Sequence, residues 1–177
     1  MNRFVFVFVM VFLFSTGLLK AQENKSYEKV AFERAEKISA PLNIQEARKK
    51  KKVTQLIAQQ YIDLNRIHSA RDKKLQKNEQ QANQIKAAAD NEMAKLHEKY
   101  LKNLGKELDK TQIEEVKNGM TYHTVPITYA NYLLMLPYLS KADQEQIFTF
   151  LTQGRERAMD AGTSKVNMPG LINIKVK

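Results

Sequence analysis

From Leu42 to Leu104 the chain runs for 63 residues without a Gly or a Pro. This stretch is rich in Ala, Lys, Gln, Glu and Leu, the side chains that lose least on entering a helix. Within it Val53, Ile57, Tyr61, Leu64, Ile67 and His68 recur at steps of three and four, and so do Ile85, Ala89, Met93, Leu96, Tyr100 and Leu104. Each set forms one apolar stripe on a helix. Between the stripes, Asp72 to Gln84 offers little beyond Leu75 and Ala82. A single helix of this length would run ~95 Å, whereas a compact domain of this size is ~40 Å across. The stretch must therefore fold back or project, and a turn is predicted at Lys77 to Asn83. Asn43 with Glu46, just after Pro41, reads as an N-cap with its reciprocal partner.

Shorter helical patterns flank this segment. Tyr27, Val30, Ala31, Arg34, Ala35 and Ile38 share one side of a helix over Tyr27 to Ile38, with Ser26 as its cap. Beyond Gly105, Thr111 with Glu114 predicts a helix to about Lys117, and Gly119 follows its end. Thr121 to Thr128, with Pro126 inside, reads as a loop or short extended piece. Tyr129 to Leu136 fits a helix ending at Pro137. Ser140 then caps Ala142 to Ala161, with Ile147, Phe150, Leu151, Ala158 and Ala161 on one face and Gly162 closing it. Nothing alternates long enough for a strand, and no fixed repeat period is present. The fold class is all-α, a multi-helix bundle with a long helical hairpin.

The N-terminus changes the compartment. Arg3, the apolar run Phe4 to Phe14, the break at Ser15 to Gly17 and then Leu19-Lys20-Ala21 form a secretory signal peptide. Spanning a bilayer takes ~20 apolar residues, so no integral span is expected after cleavage. The reading is a leader over residues 1–21, one helical domain over 22–164 and an aberrant tail over 165–177 that is expected to be disordered. The chain has 29 Lys plus Arg against 19 Asp plus Glu. Cleavage after Ala21 removes Arg3 and Lys20, leaving 27 against 19 and a net charge of +8. Outside the cytoplasm the anions available to a basic protein are acidic glycans, lipid head groups and acidic chains rather than nucleic acid. With no Cys, the chain has no disulfide scaffold, thiolate metal site, Cys nucleophile or lipidated Cys.

Motifs for chemistry are sparse. His68, His97 and His123 lack the close spacing of a zinc site, and His68, at the margin of a stripe, reads as packing. Met93, Met120, Met135 and Met159 are scattered in sequence, which favours core filling. The basic run Arg48 to Lys52 points around a whole helix circumference and reads as a solvated face. Arg155-Glu156-Arg157-Ala158-Met159-Asp160 reads as an ordinary surface lattice of ion pairs, and Arg71-Asp72 is equally plain alone. There is no glycine-rich phosphate loop and no Ser-centred nucleophile motif. No catalytic set, metal site or cofactor is expected.

Several stretches together carry a resemblance: Tyr61-Ile-Asp-Leu-Asn65 with Ile67-His68 and Arg71-Asp72, then Val116-Lys-Asn-Gly-Met-Thr-Tyr122. Thr128-Tyr129, Tyr132, Met135-Leu-Pro137, Arg155-Glu156, Ala158-Met-Asp160 and Gly162 complete it. Over residues 27–164 the chain resembles the secreted Bacteroidetes family catalogued as domain of unknown function 3826. That resemblance implies a secreted or periplasmic carbohydrate-binding accessory of polysaccharide utilisation, with a sugar, such as an acidic glycan, as partner. It nominates Asn65, Arg71, Asp72, Thr121, Tyr122, Arg155, Glu156 and Asp160 as ligand-contacting positions. The alternatives are a periplasmic helical chaperone or stress protein, which the Leu108-Asp-Lys-Thr-Gln112 segment resembles, and a glycan-active enzyme using carboxylates such as Asp72, Glu156 or Asp160.

The chain departs from that family at Gly154, where Ala is usual, and after Gly162. There the family continues K-H-A-W-F-x-K-Y-K-G-x-I-N-N-Y-L and this chain reads Val166 to Lys177. Codons chosen for Val166 to Lys177 spell K-H-A-W-F-N-K-Y-K-G-K when the first two bases are dropped. A frameshift near Lys165 is therefore expected to have replaced the last segment, leaving a truncated product with a poorly packed tail.

Overall fold

The computed structural model describes residues 27–161. The expected leader, the Ser26 cap, Gly162 and the tail lie outside the described residues. Within them the chain forms six α-helices, and no strand is present among the described residues. The all-α reading holds.

Helix α1 covers residues 27–39 and buries Ala31, Ala35 and Ile38. Its last residue, Ser39, is also buried, with its hydroxyl 2.8 Å from that of Thr54. A 3-10 turn, Ala40–Leu42, places Pro41 in its first positions, where a missing N–H costs nothing. Asn43 then adopts a left-handed conformation with φ 52° and ends it. Asn43 is thus a terminator, and the cap expected from Asn43 and Glu46 does not form. Helix α2 (Ala47–Lys77) starts after Glu46 without any side-chain cap.

α2 and α3 (Ala82–Leu104) form the predicted hairpin. The break falls at Asn78 and the 3-10 turn Glu79–Gln81, inside the predicted window. Arg66 reaching Glu92 at 3.0 Å fixes the antiparallel register. Between Ile67 and Ala89 no residue is buried, so the far part of the hairpin projects as two helices. The polar middle of the sequence stripe causes this, because Leu75, Ala82 and Ile85 are too few to recruit a third helix.

Helix α4 (Lys110–Met120) is capped by Asp109, whose carboxylate accepts from the Gln112 N–H at 2.8 Å, while Gln112 Oε1 accepts from the Asp109 N–H. The box therefore sits two residues before the Thr111 predicted for it. The helix also runs through Gly119 to Met120 instead of stopping. At Gly119 a Cβ would lie 3.1 and 3.2 Å from the Ile38 side chain, so the glycine sets how closely α1 approaches α4.

Helix α5 (Thr124–Met135) overturns the loop expected over Thr121 to Thr128. Pro126 falls in its first turn, where backbone N–H groups have no intrahelical acceptor, so it is accommodated. Helix α6 (Lys141–Met159) begins at the predicted Ser140, whose hydroxyl accepts from Asp143 N–H at 3.2 Å. Its inward stripe is Ile147, Leu151, Arg155 and Met159, while Phe150, expected inside, is exposed.

The core has two parts. Ala35, Ile38, Leu42, Val53, Ile57, Tyr100, Leu104, Val116 and Met120 from α1 to α4 pack together with Met159. Val125, Ile147 and Leu151 form a satellite with Tyr129, Tyr132 and Leu139 between α5 and α6. Tyr129 and Phe148 meet edge to face across it, centroids 5.2 Å apart. Met120 and Met159 fill core as expected, whereas Met135 is exposed.

Gly119→Ala should be close to neutral in thermal unfolding, because a gain in helix propensity of about 1 kcal/mol offsets the contact with Ile38. Gly119→Val, which adds bulk against a buried β-branched neighbour, should cost about 1–3 kcal/mol.

Candidate functional site

The inward face of α6 carries an arginine where a hydrophobic residue would ordinarily stand. Arg155 has 4% of its side chain exposed. A guanidinium cannot lose its proton, so burial obliges it to find acceptors. One Nη donates to Asn118 Oδ1 at 2.8 Å, and the other to Glu114 and to Glu156 Oε1, the latter at 3.1 Å. Glu114 and Asn118 stand four apart on α4, one turn being the spacing that lets both meet the same fork. Lys117, between them, bridges Glu114 at 3.4 Å and Glu156 Oε2 at 3.1 Å.

A third helix joins through His97 of α3. Its Nε2 lies 3.5 Å from Glu156 Oε2 and its Nδ1 lies 2.9 Å from Asp160 Oδ2. The Asp160 contact is bent away from the ring N–H direction, making it an ion pair rather than a straight hydrogen bond. With a carboxylate at each nitrogen, the imidazole is held protonated. Asp160 first and Glu156 second raise its pKa to about 9, against the opposing effect of burial. For Glu156 burial is the largest single influence and pushes upward, but His97, Lys117 and Arg155 together outweigh it and hold the carboxyl at about 2. α2 closes the cluster: His68 Nε2 donates to the Asp160 carbonyl at 2.8 Å. Tyr100, buried beside it with its hydroxyl on Met120 Sδ at 3.3 Å, is pushed well above its ordinary pKa by burial, with Tyr61 and Asp160 adding.

Three cations, Arg155, Lys117 and His97, thus face three carboxylates, Glu114, Glu156 and Asp160. Both oxygens of Glu156 and both nitrogens of His97 are committed. Such a network locks helices together, although Asp160 Oδ1, His97 Nδ1 and Arg155 Nε are buried in it without a hydrogen-bond partner. Among the described residues no group of three or more His, Asp or Glu side chains is placed to hold a metal ion.

Of the positions nominated from sequence, Arg155, Glu156 and Asp160 come together here, in a partly buried cluster instead of the surface lattice expected of them. Arg71 and Asp72 pair with each other at 2.8 Å on α2 beyond its last buried residue. Thr121 is buried and spends its hydroxyl on the Lys117 carbonyl at 2.8 Å. Asn65 is half-buried on α2, one turn beyond Tyr61. Tyr122 stands alone at the surface, 74% exposed. Sequence reasoning missed His97, Glu114, Lys117 and Asn118. The i, i+3, i+4 spacing of the last three was a signal, but any surface helix offers the same.

Comparison with family models places residues 28–168 in the protein family of unknown function DUF3826. The chain belongs to DUF3826. The match takes in α2 to α6 and all but the first residue of α1, so the hairpin, the polar cluster and Tyr122 all lie within the DUF3826 domain. Among curated proteins, none matches the chain. No helix of the described residues is long and apolar enough to cross a membrane.

The cluster makes stability depend on pH in a defined way. His97 has a folded value of about 9 against 6.5 ordinarily, so its contribution is full below 6.5 and is lost as pH rises through 9. Glu156, at about 2 against 4.5, contributes above 4.5 and loses that contribution as pH falls through 2. Thermal midpoints should therefore peak between pH 4.5 and 6.5, and His97→Gln should flatten the decline from 6.5 to 9. Arg155→Met should lower unfolding free energy by about 3 kcal/mol in urea titrations, since it strands Asn118 and unbalances the two carboxylates.

Proposed function

We propose that this DUF3826 chain is an exported carbohydrate-binding accessory of polysaccharide utilisation, with its sugar-contacting surface centred on Tyr122. The observation that carries the reading is the backbone at this corner. Tyr122 and His123 both take left-handed conformations, φ 55° and 54°, although neither is glycine. Each such residue costs about 1–3 kcal/mol, a strain that concentrates where a side chain must be held in a particular direction. Here the effect accompanies an aromatic ring left open to solvent between α4 and α5.

Other aromatic groups gather on the same side. Tyr27 of α1 donates to the Tyr61 carbonyl at 3.3 Å, and the Arg34 guanidinium lies 5.8 Å from the Tyr61 ring centroid. Burial pushes the Tyr61 phenol up to about 12; Arg34 opposes this, while the nearby Tyr122 and Tyr27 add to it. Three tyrosines, two on α1 and α2 and the exposed one in the turn between α4 and α5, with Arg34 and Asn65 on the same two helices, suit a pyranose, whose apolar face stacks on aromatic rings while its hydroxyls need donors and acceptors. In this reading Arg155, Glu156, Asp160 and Thr121 are the frame that holds the corner, and Tyr122, Asn65 and Arg34 meet the ligand.

Calorimetric titration against a panel of plant-wall oligosaccharides should detect a ligand, and Tyr122→Ala should weaken it at least about tenfold with an unchanged melting profile. A wild-type protein that binds none of the panel removes the reading.

A further inference from the structure

Two basic segments far apart in sequence meet at one end of the bundle. Lys52, in the second turn of α2, reaches Glu107 at 2.6 Å, so the turn between α3 and α4 lies against the start of α2. Gln112 donating to the Leu42 carbonyl at 3.0 Å, and Leu42, Val53, Leu104 and Leu108 sharing one core, fix that arrangement. Arg48 and Lys49 stand four and three residues before Lys52 and share its side of the helix. The α3–α4 segment brings Lys102, Lys106 and Lys110, all exposed. Glu46, Glu107 and Asp109 are carboxylates at this end, and Glu98 stands exposed one turn before Lys102 on α3. Glu107 is held by Lys52, and Asp109 is committed to the α4 cap.

The cations at the start of α2 also oppose its dipole. The first turn of α2 has no acidic residue and no side-chain cap, and five consecutive basic residues follow Ala47. Beyond Glu46 at the cap position, stability alone would place further carboxylates here in place of the cations. Among the described residues none of the exposed large hydrophobic side chains lies between Leu42 and Ile113, so these segments offer neither an apolar wedge for a bilayer nor an aromatic platform for bases.

We propose that this end of the bundle, Arg48, Lys49 and Lys52 of α2 with Lys102, Lys106 and Lys110, is a docking surface for an acidic polysaccharide bearing uronate or sulfate groups. The inference rests on the carbohydrate reading above and assigns a second, electrostatic contact beside the stacking one. A polyanion releases counterions when it meets such a row, so its affinity falls as salt rises. Flexible lysines follow a repeating charge without demanding one sugar sequence.

The test uses the full mature chain and polygalacturonate, with a neutral galactan, duplex DNA and anionic phosphatidylglycerol vesicles as comparators. Polygalacturonate should bind, and binding should weaken at least about tenfold between low and physiological salt. The variant Arg48→Gln/Lys49→Gln/Lys106→Gln/Lys110→Gln should lose about tenfold in affinity and show a shallower salt dependence. Lys106→Gln/Lys110→Gln, confined to the α3–α4 turn and the first residue of α4, serves the same purpose if the fourfold variant melts early. Wild-type affinity in both variants, an affinity indifferent to salt, or tighter binding to DNA or vesicles than to polygalacturonate overturns the proposal. Loss of neutral-sugar binding in Tyr122→Ala with salt-dependent polygalacturonate binding intact supports both sites as separate. Polygalacturonate binding without any neutral-sugar binding removes the Tyr122 reading and keeps this one.

Discussion

Placing a permanent positive charge at a core position of α6 is the constraint around which the rest of the bundle is arranged. Arg155 occupies the stripe between Leu151 and Met159, where a Leu would satisfy packing with no further demand. Its guanidinium instead requires acceptors in fixed directions, and those come from α4. Glu156 then becomes a shared ligand for three cations, and through it His97 ties α3 to the same point. Removing charges from water is costly, and the pairing repays that only with good geometry. What the network supplies is specificity, because helix register and azimuth must agree for seven side chains to meet at once.

That point of contact also joins the two apolar cores. Helices α1 to α4 pack around Val53, Ile57, Leu104 and Val116, while α5 and α6 make a smaller layer around Val125, Ile147 and Leu151. Met159 is the member of α6 that enters the larger core. Without Arg155 and Asp160 beside it, the α5–α6 layer would be anchored mainly through the short α4–α5 corner. The pH dependence of His97 and Glu156 is therefore a dependence of the junction between layers.

With Arg155 and Glu156 paired in the interior, the two proposed binding surfaces lie outside it. The strained Tyr122–His123 corner and the cationic end near Lys52 are both built where two elements meet, and both expose groups whose placement is unfavourable for folding alone. A left-handed tyrosine and a lysine row at a helix start share that signature of local cost without local return.

Helix content, the α2–α3 hairpin with its turn near Asn78, and the Ser140 cap were legible in the sequence because they depend on local spacing. Three- and four-residue recurrence fixes which side of a helix is apolar, and a polar gap between stripes marks where packing stops. Capping was less legible: Asn43 and Thr111 have the right chemistry, but Asp109 and the 3-10 turn that contains Pro41 compete for the same backbone groups and win. The α5 start was misread because a proline in a first turn looks the same in sequence as one in a loop. Arg155, Glu156 and Asp160 were marked as a set, yet their partners His97, Glu114, Lys117 and Asn118 lie from 37 to 63 residues away in sequence, from Asn118–Arg155 to His97–Asp160. No local rule separates an arginine on a wet face from one on a buried face. Sequence alone determined the helices and their apolar sides. Tertiary structure decided which charges were buried, since the burial of any one side chain depends on which other helix comes to cover it.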